Sequence, residues 1–194
     1  MVNLPLFPLN LVLLPYEYLP LHIYEPRYKV MVKNSIEHDK PFGIVLIEGD
    51  DVHTQGCRVQ ITKVYKKYQN GEYDILVKGV ERFKVLKTRL NQDTVIGEIE
   101  YYPFQKEKNE LLINKLQDSY LKVLLNYGIN TDLEIHLKKE KSFEFLQLFQ
   151  IPTSLKKELI SINSERKRLD FIFEIFDKIL KSGLKQKYSQ LAKA

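Results

Sequence analysis

Residues 19–31 read LPLHIYEPRYKVM, with two prolines, a histidine and an acid–proline–arginine step inside a run of apolar and aromatic side chains. Proline has no N–H to give a central ladder, so Pro20 belongs to a bent or edge strand and Pro26 to the first turn of a helix. After Pro26, Tyr28, Met31, Val32 and Ile36 recur at helical spacing on one face. The stretch therefore marks a strand-to-helix corner. Glu25 stands beside the exposed N–H groups of the helix start, and Arg27 can pair with a nearby carboxylate or backbone carbonyl.

Outward from that corner, residues 1–104 have the punctuation of a β-rich lobe. Gly56 to Tyr65 alternates, placing Cys57, Val59, Ile61 and Tyr65 on one face, as in a half-buried strand. Asn70-Gly71 predicts a two-residue hairpin in which Tyr68 faces Tyr73 and Lys67 faces Asp74. Further strands are expected at 11–14, 18–23, 42–47, 81–87 and 95–102. Pro5, Pro8, Pro15 and Pro20 keep the first strands short, kinked or at edges. Many short strands, one helix and bent edges predict a closed or partly closed barrel.

Residues 105–188 change period from two to 3.6. Leu112, Leu116, Tyr120, Val123 and Tyr127 form one helical stripe before Gly128. Ser142 is placed to cap FEFLQLFQ before Pro152, Ser154 to cap LKKELISI, and Ser164 to open ERKRLDFIFEIFDKILKSG. In the last, Leu169, Ile172, Phe173, Phe176, Ile179 and Leu180 make a stripe that must be buried. A basic tail, 189–194, follows. The expected class is α+β, with a β-barrel lobe over 1–104 and a C-terminal helical bundle over 105–188.

Composition narrows the function. Of 194 residues, 44% are apolar and 28% charged, the profile of an ordinary globular protein. One cysteine, Cys57, excludes an intrachain disulfide. No lysine or arginine precedes Arg27, and prolines interrupt each possible export-signal core, so a cytoplasmic location without membrane contact is expected. The net charge of +5 lies wholly in residues 105–194, while residues 1–104 carry 13 basic and 13 acidic side chains. The excess reads as solvated helix faces.

No catalytic constellation assembles. There is neither a G-x-x-x-x-G-K-[ST] phosphate cradle nor a G-x-G-x-x-G turn. His22, His38, His53 and His136 lack partners at metal-ligand spacing, so neither a metal nor a cofactor is implied. S-x-x-K occurs at Ser154–Lys157, Ser164–Lys167 and Ser182–Lys185, but two of these serines are natural helix caps. Cys57 lies on an apolar strand face, where a thiol behaves as a small hydrophobe. Asp50-Asp51 reads as loop solvation. Binding remains, and the 12 tyrosines suit a recognition surface as well as a packed β lobe.

The opening segment carries a family resemblance. Leu4-Pro5-Leu6-Phe7-Pro8-Leu9, then Val12-Leu13-Leu14-Pro15, then Leu19-Pro20-Leu21-His22-Ile23-Tyr24-Glu25-Pro26-Arg27-Tyr28 follow in order the pattern of the Lon substrate-binding domain. Tyr16 stands where that family commonly has glycine, and Tyr24 where it has phenylalanine. FGIVLIEG at 42–49, the Gly56-Cys57 step, Gly79-Val80-Glu81-Arg82-Phe83-Lys84-Val85 and Arg168-Leu169 are similar to later family features.

The resemblance implies a PUA-like β-barrel followed by a helical bundle, in a free-standing form without the ATPase and Ser–Lys protease domains. A non-enzymatic module that recognises polypeptide segments or a partner protein through apolar and tyrosine-rich surface is the leading expectation. Tyr24, Arg27, Tyr28 and Arg82 are its candidate binding residues, with Arg82 facing a cleft. RNA or a nucleotide-type ligand on the barrel is the alternative. The electrical neutrality of residues 1–104 argues against it, since a phosphate-tracking groove needs lysine and arginine there.

Overall fold

The computed structural model describes residues 1–103, 109–129 and 133–182. Six strands, β1 (Val2–Leu9), β2 (Tyr18–Ile23), β3 (Phe42–Glu48), β4 (Asp51–Lys67), β5 (Tyr73–Asn91) and β6 (Thr94–Tyr101), form one sheet in the order β2-β5-β4-β3-β1-β6. β6 also pairs with β5, so the succession β5-β4-β3-β1-β6 returns to its starting strand. The helices are α1 (Pro26–His38), α2 (Glu110–Asn126), α3 (Leu133–Leu137), α4 (Thr153–Ser161) and α5 (Glu165–Ser182). The chain divides into two units: residues 1–103 with 152–161, and residues 104–151 with 162–194.

β1 runs between two neighbours despite its prolines, whereas β2, with Pro20, lies at one end of the strand order. β1 pairs antiparallel with β6 over Val2–Leu6 and parallel with β3 over Leu6–Leu9. Pro5 thus lies where only β6 is paired and Pro8 where only β3 is paired. Each missing N–H can face the unpaired side.

Residues 11–14, expected as a strand, form a loop instead. Its turn is clamped against β5: the Tyr16 N–H donates to the Gly79 carbonyl at 2.8 Å, and the Gly79 N–H to the Glu17 carbonyl at 2.9 Å. A Cβ on Gly79 would fall on the Leu14 carbonyl oxygen, so this is the close approach that requires glycine. Tyr16, in the glycine-favoured position, has φ 69°.

Three separate sequence features converge on one ring. Phe83 is fully buried, and a Cβ on Gly43 or Gly56 would lie 2.6 or 2.5 Å from its ring carbons. The glycines of the FGIV and Gly-Cys steps therefore leave the volume that the R-F step fills. Leu4, Leu6, Val45, Val85 and Ile99 complete this core. A second core joins Phe7, Leu13 and Ile23 to Tyr28, Met31 and Val32 of α1 and to Phe42, Ile44, Cys57, Val59, Ile75 and Val77. Ile36, expected on the buried face of α1, is partly exposed near the helix end.

The Asn70-Gly71 hairpin differs from expectation. Lys67 pairs with Tyr73 and Lys66 with Asp74, one residue off the two-residue register. The Gly71 N–H bonds the Tyr68 carbonyl at 3.0 Å, and Gly71 alone takes a positive φ, 81°. The Asn70 side chain accepts from the Glu72 N–H, which favours this longer loop. The two-residue turn with both φ positive occurs at Gln92 (46°) and Asp93 (63°), between paired Asn91 and Thr94. Register shifts between Ile61 and Lys63 and between Val64 and Lys66 break the alternation of β4, leaving Tyr65 exposed.

α4 belongs to the first unit. Leu159 and Ile160 are buried. Lys156 pairs with Glu17 at 2.6 Å, Lys157 pairs with Glu48, and the Ser161 hydroxyl donates to Gln55 at 3.1 Å. Ser154 lies within this helix rather than capping it.

In the second unit α2 packs on α5, burying Leu116, Tyr120, Val123, Leu169, Ile172 and Phe176. The Tyr120 ring meets Phe145, Phe149 and Phe176 at centroid distances of 5.4, 5.9 and 5.8 Å. Only Ser142–Leu146 of the helix expected before Pro152 forms, as a 3₁₀ turn. Ser142 lies inside this turn rather than capping it, and its N–H and hydroxyl both donate to the Glu165 carboxylate. Its oxygen also accepts from Arg168. Ser164 does open α5, accepting from the Lys167 N–H. Gly183, Lys185 and the tail 189–194 lie outside the described residues.

Candidate functional site

The EPRY step is a corner built on a shared carboxylate. Glu25 is extended (φ −69°, ψ 134°), and its carbonyl accepts the Tyr28 and Lys29 N–H groups as the helix begins. Its carboxylate is turned away from those amides and takes two N–H groups of Arg27, at 2.7 and 3.0 Å. Arg27 also donates to the Asp93 carbonyl at 3.2 Å, tying the start of α1 to the tip of the β5–β6 hairpin. Its guanidinium lies 4.6 Å from the Tyr28 ring centroid, and Tyr28 packs on Phe7 at 4.1 Å. Burial pushes the Tyr28 phenol above its usual range, and the Arg27 charge opposes that shift.

This corner forms one end of a groove of about 610 Å³. Pro8, Glu25, Arg27 and Tyr28 line it with the β3–β4 turn (Ile47, Gly49, Asp50, Asp51, Val52) and the end of the β5–β6 hairpin (Thr88, Arg89, Leu90, Val95). Leu90 is 74% exposed and Ile47 39%. Aliphatic side chains standing in water beside both signs of charge suit a segment held by apolar contact and oriented by its charges. No hydroxyl, thiol or amine in this groove is paired with a base.

The structure thus brings two of the four candidate residues, Arg27 and Tyr28, together. Tyr24 is 60% exposed and stacks on His22 at 6.0 Å, away from the groove lining. Arg82 is not at a cleft: it is 7% exposed and donates to the Ile160 carbonyl at 2.6 Å, with its guanidinium 4.5 Å from the Tyr102 ring. A strand that is buried on this face turns the arginine inward, and α4 supplies the acceptor. Sequence reasoning missed Leu90 and Ile47 and assigned Asp50-Asp51 to solvation alone. The available signal was an aliphatic residue beside the polar turn of LNQDT, which a strand-end position leaves uncovered. Cys57 is fully buried, and burial pushes its thiol up to about 12. Among the described residues, no group of three or more His, Cys, Asp or Glu could hold a metal, and no helix is long and apolar enough to cross a membrane.

Two solved structures with this fold are Lon N-terminal domains. The chain superposes on the Lon N-terminal domain protein from Xanthomonas campestris with a TM-score of 0.71 at 23% identity, covering 90% of this chain and 98% of that one. It superposes on the N-terminal domain of Mycobacterium avium complex Lon protease with a TM-score of 0.74 at 12% identity, covering 91% and 98%. The family model for the ATP-dependent protease La (LON) substrate-binding domain matches residues 3–182, and the chain belongs to that family. The Lon protease of Mycoplasma mobile is 27% identical over 154 residues, 75% of this chain. The chain spans 17% of the length of that relative. The matched region is the substrate-binding domain of such proteases, rather than their ATPase or protease domain.

Proposed function

We propose that this protein is a non-catalytic module that recognises polypeptide segments in the cytoplasm, built as a PUA-like barrel over 1–104 with a helical bundle over 105–188. The corner groove is its binding surface, and the juxtaposition of exposed Leu90 and Ile47 with Arg27 and Tyr28 is the observation that carries the reading. Membership of a substrate-binding family supports it. Tyr24 adds an exposed aromatic beside the corner, and Arg82 acts by holding α4 on β5. A groove open to water and lined by few large side chains gives loose selectivity and a Kd of about 10 µM or weaker.

Calorimetric titration of the protein with a permanently unfolded polypeptide, such as a reduced and alkylated small protein, tests this against the same protein in its native form. Heat with the unfolded form alone supports the reading. Equal absence of heat with both removes it, and tight, steeply salt-dependent binding of RNA would assign the surface to nucleic acid instead.

A further inference from the structure

β4 outruns its partner. The β3–β4 ladder ends at Phe42 and Val59, because Pro41 turns the chain back toward α1. From Gln60 to Lys67, β4 pairs with β5 on one side and, among the described residues, with no strand on the other. Thr62 to Lys67 are all exposed, and Ile61 is half-buried. The register shifts after Ile61 and Val64 bend this edge, and between them backbone N–H and C=O groups face outward with no strand to bond.

The open edge borders a groove of about 510 Å³, closed on its far side by the last turn of α1. Ile36, Ile61 and Val64 give it an apolar lining, and Lys40 and Lys63 stand with them. Asp39 is the one carboxylate among its lining residues. Along the same edge the Lys63 and Lys66 ammonium groups rest on the Tyr65 and Tyr68 rings, at 4.6 and 4.3 Å from the centroids. Lys66 stands opposite Asp74 and helps to hold that carboxylate below its usual range, while Lys40, Lys63 and Lys67 are within ion-pair distance of no described carboxylate.

We propose that this edge is a second binding site, where an extended polypeptide segment of alternating acidic and aliphatic residues adds as a strand to β4. Main-chain hydrogen bonds to residues 60–67 supply most of the affinity. Aliphatic side chains enter the groove beside Ile36 and Ile61, and carboxylates meet the lysine row. This site reads backbone and charge, whereas the corner groove reads exposed side chains, and either can fail while the other stands.

The test uses the whole chain and a labelled peptide of about eight residues alternating Glu and Val, the length that pairs with residues 60–67. Two further peptides are N-methylated at one or the other alternate set of amides. The proposal expects a Kd of about 10–100 µM. It expects at least a ~tenfold loss for one methylated peptide and little for the other, because only one set of amides faces the protein in a strand pair. Neutralising charge with Lys63→Gln and Lys66→Gln weakens binding about tenfold without lowering the unfolding temperature, and Leu90→Ser leaves it unchanged. Amide exchange slows within 60–67 when peptide is added. The proposal is overturned if the two methylated peptides bind alike or if protection appears at 25–28 and 88–95 instead. It is also overturned if the edge self-associates into dimers that exclude peptide, or if no peptide binds because the lysines serve only to blunt the edge.

Discussion

Arg82 on β5 donates to the backbone carbonyl of Ile160 at 2.6 Å, a charged hydrogen bond between residues 78 apart in sequence and both almost fully buried. Removing the guanidinium strands that carbonyl at the end of α4 and opens space beside Tyr102. Arg82→Ala should therefore lower unfolding free energy by about 2–4 kcal/mol. Urea denaturation checks this. A loss below about 0.5 kcal/mol would mean that buried Leu159 and Ile160, the lysine pairs and Ser161 hold α4 without help from Arg82.

The Tyr16 turn gives a cleaner comparison. Tyr16 has φ 69°, a region that glycine enters without penalty and other residues enter at a cost of about 1 kcal/mol. Tyr16→Gly and Tyr16→Ala both remove the phenol ring, so their difference isolates the backbone term. The glycine variant should be the more stable of the pair by about 1 kcal/mol in thermal or chemical unfolding. In the neighbouring strand, Gly79→Ala should be severely destabilising, because the new methyl meets the rigid Leu14 backbone.

Cys57 sets an alkaline limit. Its thiol is held protonated up to about 12 by burial, against an ordinary value of 9.0. Above pH 9 the unfolded chain releases this proton while the folded chain keeps it, so the unfolded state binds fewer protons and stability falls as pH rises toward 12. Cys57→Ala should flatten the slope of stability against pH between 9 and 12. At pH 8 an alkylating reagent should modify wild-type Cys57 only as fast as the protein opens.

The Glu165 carboxylate joins the Ser142 N–H and hydroxyl to the Arg168 guanidinium. Arg168 is 6% exposed and also donates to the Asn163 carbonyl at 2.8 Å. Glu165→Ala leaves that buried charge without its carboxylate and should cost about 3 kcal/mol, with Ser142→Ala costing about 1. Denaturation of the single and double variants should show a coupled, non-additive pair.

What could be read from the sequence divides along a physical line. Elements fixed by local pattern were legible: the Pro26 helix start, the Ser164 opening of α5, the buried strand face at Cys57 and Val59, and the Leu169, Ile172 and Phe176 stripe. Features fixed by distant partners were not. The 11–14 loop is apolar enough for a strand but is held by Gly79. Ser142 looks like a cap, but its oxygen accepts from Arg168, 26 residues on, instead of from a helix N–H. Arg82 has the profile of a surface cation and is internal only because α4 returns to β5. The corner groove was half visible, since EPRY names Glu25, Arg27 and Tyr28. Leu90 and Ile47 join them only through the sheet pairing that brings two hairpin ends together.

The most direct test of the binding role compares wild-type protein with an Ile47→Ser, Leu90→Ser variant in fluorescence anisotropy with one labelled unfolded polypeptide. Leu90 is largely exposed and Ile47 partly so, so thermal unfolding should fall by only a few degrees while affinity falls about tenfold, the loss of roughly one aliphatic contact of 1.4 kcal/mol. Identical binding curves for the two proteins, with both folded, would contradict the assignment of this groove to polypeptide recognition.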